Sequence, residues 1–221
     1  MKTFSVVVPV HNEEKFLPLF LKSVCSQNLL PEELVLIDDN SKDKTKKMML
    51  DYQDKNNFIR VFSLKSSDEH MPGAKVVKAF LFGHSKLTKP YDFLLKLDAD
   101  LILPEKYFQL IINAFSNPKI GIVGGTLIEL TKYGTWENAH PMKTSHVRGG
   151  LKAYSTKCYK KIGGLIPEMG WDTIDELLAN YHGYQVKVLN KLKVKHLRPI
   201  GNVYSRNSSY LQGQAFYKMR Y

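Results

Sequence analysis

Short apolar runs alternate with amphipathic stretches along the first half of the chain. Runs of β-branched and aliphatic residues are typical of buried strands, and apolar residues spaced three and four apart indicate helices. The predicted strands are Phe4–Val10, Leu34–Ile37, Ile59–Ser63, Phe93–Leu97 and Ile120–Gly124. The predicted helices follow His11–Glu14 and include Met48–Tyr52, Gly73–His84 and Tyr107–Phe115. Strands and helices in this order predict βαβ units and a parallel sheet with right-handed crossovers.

The last third of the chain is less regular. A helix is predicted over Thr173–Tyr181 with Gly183 just after its end, and Val186–Leu189 and Leu192–His196 predict a small hairpin. Near the N-terminus, Asn12 is expected to cap the first helix. The pattern as a whole predicts one α/β domain with a mixed C-terminal portion.

The composition is that of an ordinary globular protein. The chain has 221 residues, 43% hydrophobic and 24% charged, which excludes a disordered chain, a collagen-like repeat and a disulfide-stapled scaffold. No apolar stretch reaches the ~20 residues of a membrane-spanning helix, and the N-terminal run lacks the features of a signal peptide. Two isolated cysteines, Cys25 and Cys158, have no metal-binding spacing and suit a reducing cytoplasm.

The charge balance is strongly basic. The chain carries 32 Lys and Arg against 21 Asp and Glu, a net charge of +11. Such a surplus attracts anions in general, so nucleic acid, anionic lipid headgroups and phosphorylated small molecules all remain open. The lysines between Lys42 and Lys47 are expected to form the solvated face of a helix. A second basic cluster, from Lys187 to Arg198, alternates along the predicted C-terminal strand.

Acidic and polar residues nevertheless concentrate where predicted strands end. They are His11–Glu13, Asp38–Asp39 and Asp98–Asp100, with a further cluster, Thr173–Glu176, at the start of a late helix. In open α/β sheets, ligands bind in the crevice beyond the carboxyl ends of the strands. These clusters are therefore candidates for a binding site.

Two of these clusters have more than one interpretation. Asp98 and Asp100 point the same way in extended backbone, which suits Mg²⁺ or Mn²⁺, but a turn that caps the next helix is the alternative. Asp39 is able to accept a hydrogen bond from a nucleobase or a ribose. Alternatively, Asp38 and Asp39 only end a strand in an Asx turn, with Ser41 as a helix cap.

Taken together, the clusters resemble the family-2 glycosyltransferases, enzymes that use nucleotide-diphosphate sugars. The resemblance runs in order along nearly the whole chain, through Val8–Glu13, Val35–Ser41, Gly73–Ala79, Leu97–Asp100 and Ile162–Asp175. It implies the GT-A fold, an α/β fold with a Rossmann-like, mostly parallel central sheet flanked by helices and a smaller mixed C-terminal portion. Within a single domain, 1–100 would be the nucleotide-binding half and 101–221 the acceptor-binding half.

The resemblance also implies roles for individual residues. Asp175 would be the catalytic base, Asp100 would bind the metal, and His196 would complete the metal site. The residues implied in nucleotide binding are Pro9, His11, Glu13, Asp39, Lys75 and Asp98. The candidates for contact with the acceptor or a phosphate are Arg148, Trp171 and Asp172, although Arg148 also suits a turn and Trp171 a packing role.

The sequence departs from the family pattern before the late helix. The usual Glu-Asp pair appears as Ile174-Asp175, which leaves Asp172 or Glu176 as substitutes for the missing Glu. The Gln/Arg-x-x-Arg-Trp element of processive synthases is absent, which argues against a processive synthase. The aromatic residues of Tyr210–Tyr221 are compatible with a terminal helix or with a chain cut before a membrane-associated tail.

The expected function is metal-dependent, inverting transfer of a sugar to a hydroxyl of a glycan or lipid-linked acceptor. The donor would be a UDP-sugar, with a GDP-sugar next, and the cofactor Mn²⁺ or Mg²⁺. The chemistry fits cell-wall or polysaccharide biosynthesis by a cytoplasmic enzyme, and the basic surface is compatible with peripheral association at the inner face of the membrane.

Parts of the sequence also suit three other function classes. A sugar nucleotidyltransferase is disfavoured because His11–Glu14 is acidic and glycine-free where such enzymes resemble one another in a basic, Gly-rich loop. A nucleic-acid-binding module is disfavoured because the basic residues match none of its motifs. A catalytically silent nucleotide-sugar binder stays an alternative. His70, His84, His140, His146 and His182 have no motif support and are expected at the surface or in packing.

Overall fold

The apolar runs of the N-terminal half form neighbouring parallel strands. The computed structural model describes residues 2–66, 73–139 and 145–198. In it β1 (Phe4–Val10) lies between β2 (Glu33–Asp39) and β4 (Phe93–Leu97), and β3 (Ile59–Leu64) extends the sheet beyond β2. All four strands are parallel, so their carboxyl ends lie at the same edge of the sheet.

The C-terminal half continues the same sheet with mixed directions. β8 (Leu151–Ser155) runs antiparallel to both β4 and β6 (Ile120–Leu130), and β9 (Gln185–His196) runs parallel to β6. The short β5 (Leu101–Ile102) pairs antiparallel with β9. β7 (Trp136–Asn138) pairs with the end of β6. The expected mostly parallel sheet with a mixed C-terminal portion is confirmed.

Helices pack against the sheet close to the positions that the apolar periodicity predicts. Their bounds are α1 (Leu17–Cys25), α2 (Thr45–Gln53), α3 (Ala74–His84), α4 (Tyr107–Ala114), α5 (Thr156–Lys161) and α6 (Trp171–Tyr181). α3 contacts β1 and β2, whereas α6 contacts β6 and β9. Among the helices of the described ranges, none is long and apolar enough to cross a membrane.

The predicted helix caps at Asn12 and Ser41 are wrong. Asn12 has a positive φ of 52°, which turns the chain away from a helix, and α1 begins only at Leu17. The hydroxyl of Ser41 accepts a hydrogen bond from the backbone N–H of Asn12 at 3.1 Å. The Asx turn is confirmed, because the N–H of Ser41 donates to Asp38 Oδ1 at 3.1 Å. Both polar residues thus fix loops at the sheet edge.

The predicted C-terminal hairpin is also wrong. Both of its segments belong to β9 and pair in parallel with β6, with an irregularity between the pairs Gly124–Val188 and Thr126–Lys193. The two apolar stretches therefore pack along one partner strand and do not fold back on each other. His70, His140 and Tyr210–Tyr221 lie outside the described residues.

Candidate active site

The loops after β1 and β2 are fastened to each other by their polar residues. His11 Nδ1 lies 2.6 Å from the carbonyl oxygen of Asp39, and the backbone N–H of Lys42 donates to Asn12 Oδ1 at 2.8 Å. The N–H of Glu13 donates to the hydroxyl of Thr45 at 2.7 Å. The carboxyl ends of two adjacent strands thus form one continuous rim.

Asp39 presents an unsatisfied acceptor in this rim. Its side chain is 5% exposed, and Oδ1 has no hydrogen-bond partner. A buried carboxylate oxygen without a partner is costly, so the position favours a ligand that donates a hydrogen bond. Pro9, half-buried on β1, and His11 lie on the adjacent strand and loop. The structure therefore brings these three predicted nucleotide residues together.

A network of ion pairs connects the loop after β1 with the end of β9. Arg198 Nη2 lies 2.5 Å from Glu13 Oε1, and Arg198 Nε lies 3.8 Å from Asp100 Oδ2. His196 Nε2 lies 3.4 Å from the same Asp100 oxygen, and His196 Nδ1 lies 2.9 Å from Glu129 Oε1. Asp100 and His196, predicted as metal ligands, are therefore neighbours.

The pKa values of residues in this network of ion pairs are shifted because several carboxylates lie close together. Burial and, to a smaller extent, the charge of Asp100 raise the pKa of Glu13 to about 7, although Arg198 opposes the shift. Burial alone would lower the pKa of His196, but its hydrogen bonds to Asp100 and Glu129 outweigh burial and raise the pKa to about 9. The cluster favours an added positive charge.

The donor set fits a hard divalent cation in part. Glu13 Oε2 and Asp100 Oδ1 are buried and have no hydrogen-bond partner, and carboxylate oxygens are the ligands that Mg²⁺ and Mn²⁺ prefer. Across residues 2–66, 73–139 and 145–198, however, no three His, Cys, Asp or Glu side chains are grouped to hold a metal. A metal bound here would take its remaining ligands from water or a substrate phosphate.

Asp98 sits beside a buried lysine. The side chain of Lys96, 2% exposed, donates to Asp98 Oδ1, while the side chain of Asp98 is 38% exposed. A methyl group on Gly150 would come within 2.6 Å of Asp98 Oδ2, and one on Gly149 within 2.7 Å of the Trp171 ring. Glycine at these two positions therefore allows the backbone to approach Asp98 and Trp171 closely.

A second lysine lies directly across the sheet from the first. Lys96 on β4 pairs in register with Lys152 on β8, so both side chains lie on one face. Their ammonium groups lie 5.4 and 5.7 Å from the ring centroid of Trp171. Trp171 is 6% exposed, so the packing role weighed for it is supported over an acceptor platform.

Asp175 lies on the face of α6 that points into the protein interior. It is 2% exposed; Oδ1 accepts from Lys152 Nζ at 2.6 Å, and Oδ2 accepts from the Tyr154 hydroxyl at 2.5 Å. Burial raises the pKa of Asp175 to about 6, although Lys152 opposes the shift. This placement is at odds with the expectation that Asp175 meets an acceptor hydroxyl directly.

Asp172 occupies the more open position on the first turn of α6. Its side chain is 30% exposed, and Oδ2 lies 3.6 Å from His146 Nε2. Burial alone would raise the pKa of Asp172, but the contact with His146 and the charge of Lys152 outweigh it and lower the pKa. His146 Nδ1 also lies 3.0 Å from Glu176 Oε2, so the imidazole bridges two carboxylates.

Lys75 and Arg148 border the same region. Lys75 lies in the first turn of α3, which follows Gly73. The Cα of Gly73 is so close to the segment before α6 that an added methyl group would lie 2.9 Å from Met169 Cα. Arg148 precedes the glycines that contact Asp98 and Trp171. Their positions suit the predicted roles without testing them.

Sequence reasoning missed Lys96, Lys152, Tyr154 and the bridging role of His146. A usable signal was present, because Lys96 and Lys152 each stand inside an otherwise apolar strand. A charged residue at such a position is rarely buried unless it is paired. No sequence signal identifies the partners, because Asp175 and Glu176 come from a distant helix.

The ion pairs of His146 predict a pH-dependent stability. Burial alone would lower its pKa, but the ion pair with Asp172 and the hydrogen-bonded ion pair with Glu176 raise it to about 9, above an ordinary 6.5. The proton therefore stabilises the folded state fully below pH 6.5, and this contribution is lost as the pH rises through 9. We expect the Tm deficit of His146→Gln relative to wild type to be largest near pH 6 and to shrink towards pH 10. A deficit that is constant with pH would contradict this.

Comparison with known sequences identifies one family. Glycosyl transferase family 2 matches residues 5–171. The undecaprenyl-phosphate 4-deoxy-4-formamido-L-arabinose transferase of Photorhabdus laumondii subsp. laumondii is 32% identical over 109 residues, 47% of this chain and 31% of that protein. The transferase of the same name from Serratia proteamaculans is 30% identical over 116 residues, with the same coverage. The chain thus spans about a third of the length of these curated relatives.

Solved structures share the fold at low sequence identity. S. aureus TarS 1-349 in complex with UDP-GlcNAc has a TM-score of 0.73 at 19% identity, covering 99% of this chain and 65% of that one. The mannosyltransferase PcManGT from Pyrobaculum calidifontis, in complex with GDP-Man and Mn²⁺, has a TM-score of 0.69 at 14% identity, covering 98% and 62%. These likenesses support the GT-A fold.

The family match, the order of the strands and the shared fold agree with one another. The family match covers residues 5–171, from the second residue of β1 to the first residue of α6, and so includes β2, β4 and nearly all of β1, the parallel strands whose carboxyl ends form the rim. The resemblance drawn from the sequence motifs is therefore confirmed. This chain belongs to glycosyl transferase family 2 and has the GT-A fold.

Proposed function

We propose that this protein is a metal-dependent, inverting glycosyltransferase that uses a nucleotide-diphosphate sugar. One observation carries the proposal. Within the described part of the chain, every buried carboxylate oxygen that lacks a hydrogen-bond partner belongs to Glu13, Asp39 or Asp100, at the carboxyl-end rim. Such oxygens suit a ligand that brings hydrogen-bond donors and a cation together, as a nucleotide diphosphate with its metal does.

The donor is a UDP-sugar in the first instance and a GDP-sugar next. Asp39 would accept a hydrogen bond from the base, with Pro9 and His11 beside it, and Asp98 would reach the ribose or a metal-bound water. Lys75, in the first turn of α3, would lie near the base or the phosphates. The names of the similar solved structures include UDP-GlcNAc and GDP-Man, which supports this donor class.

Asp100 and His196 would hold Mn²⁺ or Mg²⁺. When bound, the cation supplies positive charge that stabilises the leaving diphosphate. Glu13 and Arg198 form an ion pair next to Asp100. They would balance part of the charge that the ligand brings to the site. Mn²⁺ is named in two of the similar structures, PcManGT and GalNAc-T7, which supports the choice of metal.

We assign the proton acceptor to Asp172, which is more open than Asp175. Its lowered pKa keeps the carboxylate ionised, and the contact with His146 orients it. An acceptor hydroxyl needs such a carboxylate to take its proton while the new bond forms. Attack in a single displacement inverts the anomeric carbon. Asp175 would hold Lys152 and Tyr154 in place beneath it.

The acceptor is a hydroxyl of a glycan or of a lipid-linked molecule. The name of the curated relatives, undecaprenyl-phosphate 4-deoxy-4-formamido-L-arabinose transferase, includes a lipid phosphate, which supports a lipid-linked acceptor. An exposed surface near the end of β6 fits peripheral contact with a membrane: Leu130 is 52% and Tyr133 78% exposed, and Lys195 Nζ lies 4.9 Å from the Trp136 ring. Arg148 would contact a phosphate or the acceptor.

Nucleotide binding is tested by thermal unfolding with UDP, GDP, CDP or TDP, each with and without Mn²⁺. A ligand that binds only the folded state stabilises it by about 2.7 kcal/mol at roughly 100 times Kd. We expect a Mn²⁺-dependent rise in Tm with UDP in wild type and in Asp51→Ala, an exposed control on α2. Asp100→Ala should lose this rise. No shift with any nucleotide would contradict the proposed donor class.

The assignment of the base is tested with Asp172→Asn and Asp175→Asn. With the nucleotide sugar that binds, we measure release of the nucleoside diphosphate with water as acceptor. Asp172→Asn should lower turnover by roughly 10²–10⁴-fold and keep the nucleotide-induced rise in Tm. Asp175→Asn should mainly lower Tm, because it leaves Lys152 with a weaker partner. Loss of turnover in Asp175→Asn alone, at unchanged Tm, would return the role to Asp175.

A further inference from the structure

The two buried lysines lie between the carboxyl-end rim and α6, which carries the proposed base. Lys96 and Lys152 face each other across β4 and β8, and they are 2% and 0% exposed. Like charges directly opposite each other in a sheet repel, and burial adds a desolvation penalty. Burial of two such side chains therefore requires carboxylates or other electron-rich groups close to both of them.

Each lysine is compensated by a different part of the site. Lys96 donates to Asp98, on the rim where β4 ends. Lys152 contacts Asp175 at 2.6 Å and Glu176 at 3.2 Å, and it also donates to the backbone carbonyl of Asp172. Lys96 therefore contacts the proposed nucleotide site, and Lys152 contacts α6, the helix that carries the proposed base.

Trp171 joins the two cations. Its ring centroid lies 5.4 Å from Lys96 Nζ and 5.7 Å from Lys152 Nζ, within the range of cation–π attraction. The backbone of Gly149 closes against the same ring, because an added methyl group there would lie 2.7 Å from it. Trp171 is also the residue immediately before Asp172 on α6. Its position is therefore tied directly to that of the proposed base.

We propose that Lys96, Trp171 and Lys152 are positioning residues that couple occupancy of Asp98 to the placement of Asp172. A ligand hydroxyl or a metal-bound water at Asp98 competes with Lys96 for the carboxylate. The Lys96 ammonium then interacts more strongly with the Trp171 ring. As a result, the interaction of the same ring with Lys152 changes. The start of α6 responds because Trp171 and the Asp172 carbonyl are both held by this group. This inference rests on the proposed nucleotide site.

Tryptophan fluorescence tests the coupling without any turnover. The chain has two tryptophans, so Trp136→Phe leaves Trp171 as the single reporter. The full chain with this change is titrated with UDP and Mg²⁺, or with GDP where UDP gives no thermal shift. We expect nucleotide to change the Trp171 emission, and Lys96→Met to remove that change while the nucleotide still raises Tm. Lys96→Arg, which keeps the charge, should restore part of it.

Lys78→Met is the matched control, because Lys78 is an exposed lysine on α3. It should leave the emission change intact. An equal emission change after Lys96→Met, or a rise in Tm without any emission change in the Trp136→Phe protein, would overturn the coupling and leave the nucleotide site standing. Absence of any rise in Tm would overturn the nucleotide site and this inference together. A Lys96→Met protein that is unfolded is replaced by Lys96→Gln, to which the same criteria apply.

Discussion

The burial of Lys96 and Lys152 side by side is the constraint on which the arrangement of the site depends. Two cations in register on adjacent strands are unfavourable without counter-charges, and removal of one partner of a buried pair costs ~3–5 kcal/mol. Asp98, Asp175 and Glu176 supply the negative charge, and the last two come from α6. The lysines thus hold α6 over the edge of the sheet where the parallel strands end.

The rim itself follows from strand direction. β1, β2 and β4 are parallel neighbours, so the residues that follow each strand meet at one edge, as in other open α/β sheets. The loops are fixed there by Asn12, Ser41 and Thr45, and Arg198 closes the rim from the C-terminal side. Some carboxylate oxygens held in this way have no hydrogen-bond partner within the described part of the chain. We interpret these oxygens as the binding site of a charged ligand.

Most of the strand and helix pattern was predictable from the sequence, because buried strands and amphipathic helices leave periodic apolar signals. Phe4–Val10 and Phe93–Leu97 have the predicted bounds. The hairpin prediction failed because two apolar stretches are equally able to pair with each other or with a common strand such as β6. The cap at Asn12 failed because asparagine also favours a positive φ, which the pattern cannot distinguish.

For the candidate site, the sequence motifs predicted clusters that the fold brings together, but not which partners the individual residues contact. Asp100 and His196 are 96 positions apart, and β5 and β9 bring them together, as the motif order implies. The exposure of Asp172 and the burial of Asp175 depend on which face of α6 meets Lys152 and Tyr154. Those partners lie on β8, and a one-dimensional pattern carries no record of that contact.

The most direct test of the account is a crystal structure of the protein with UDP and Mn²⁺, in which anomalous scattering locates the metal. We predict an anomalous peak beside Asp100 and His196. The uracil should lie against Asp39, and the diphosphate should lie between the uracil and the metal. A metal peak elsewhere on the molecule, or a nucleotide bound away from the carboxyl ends of β1, β2 and β4, would contradict it.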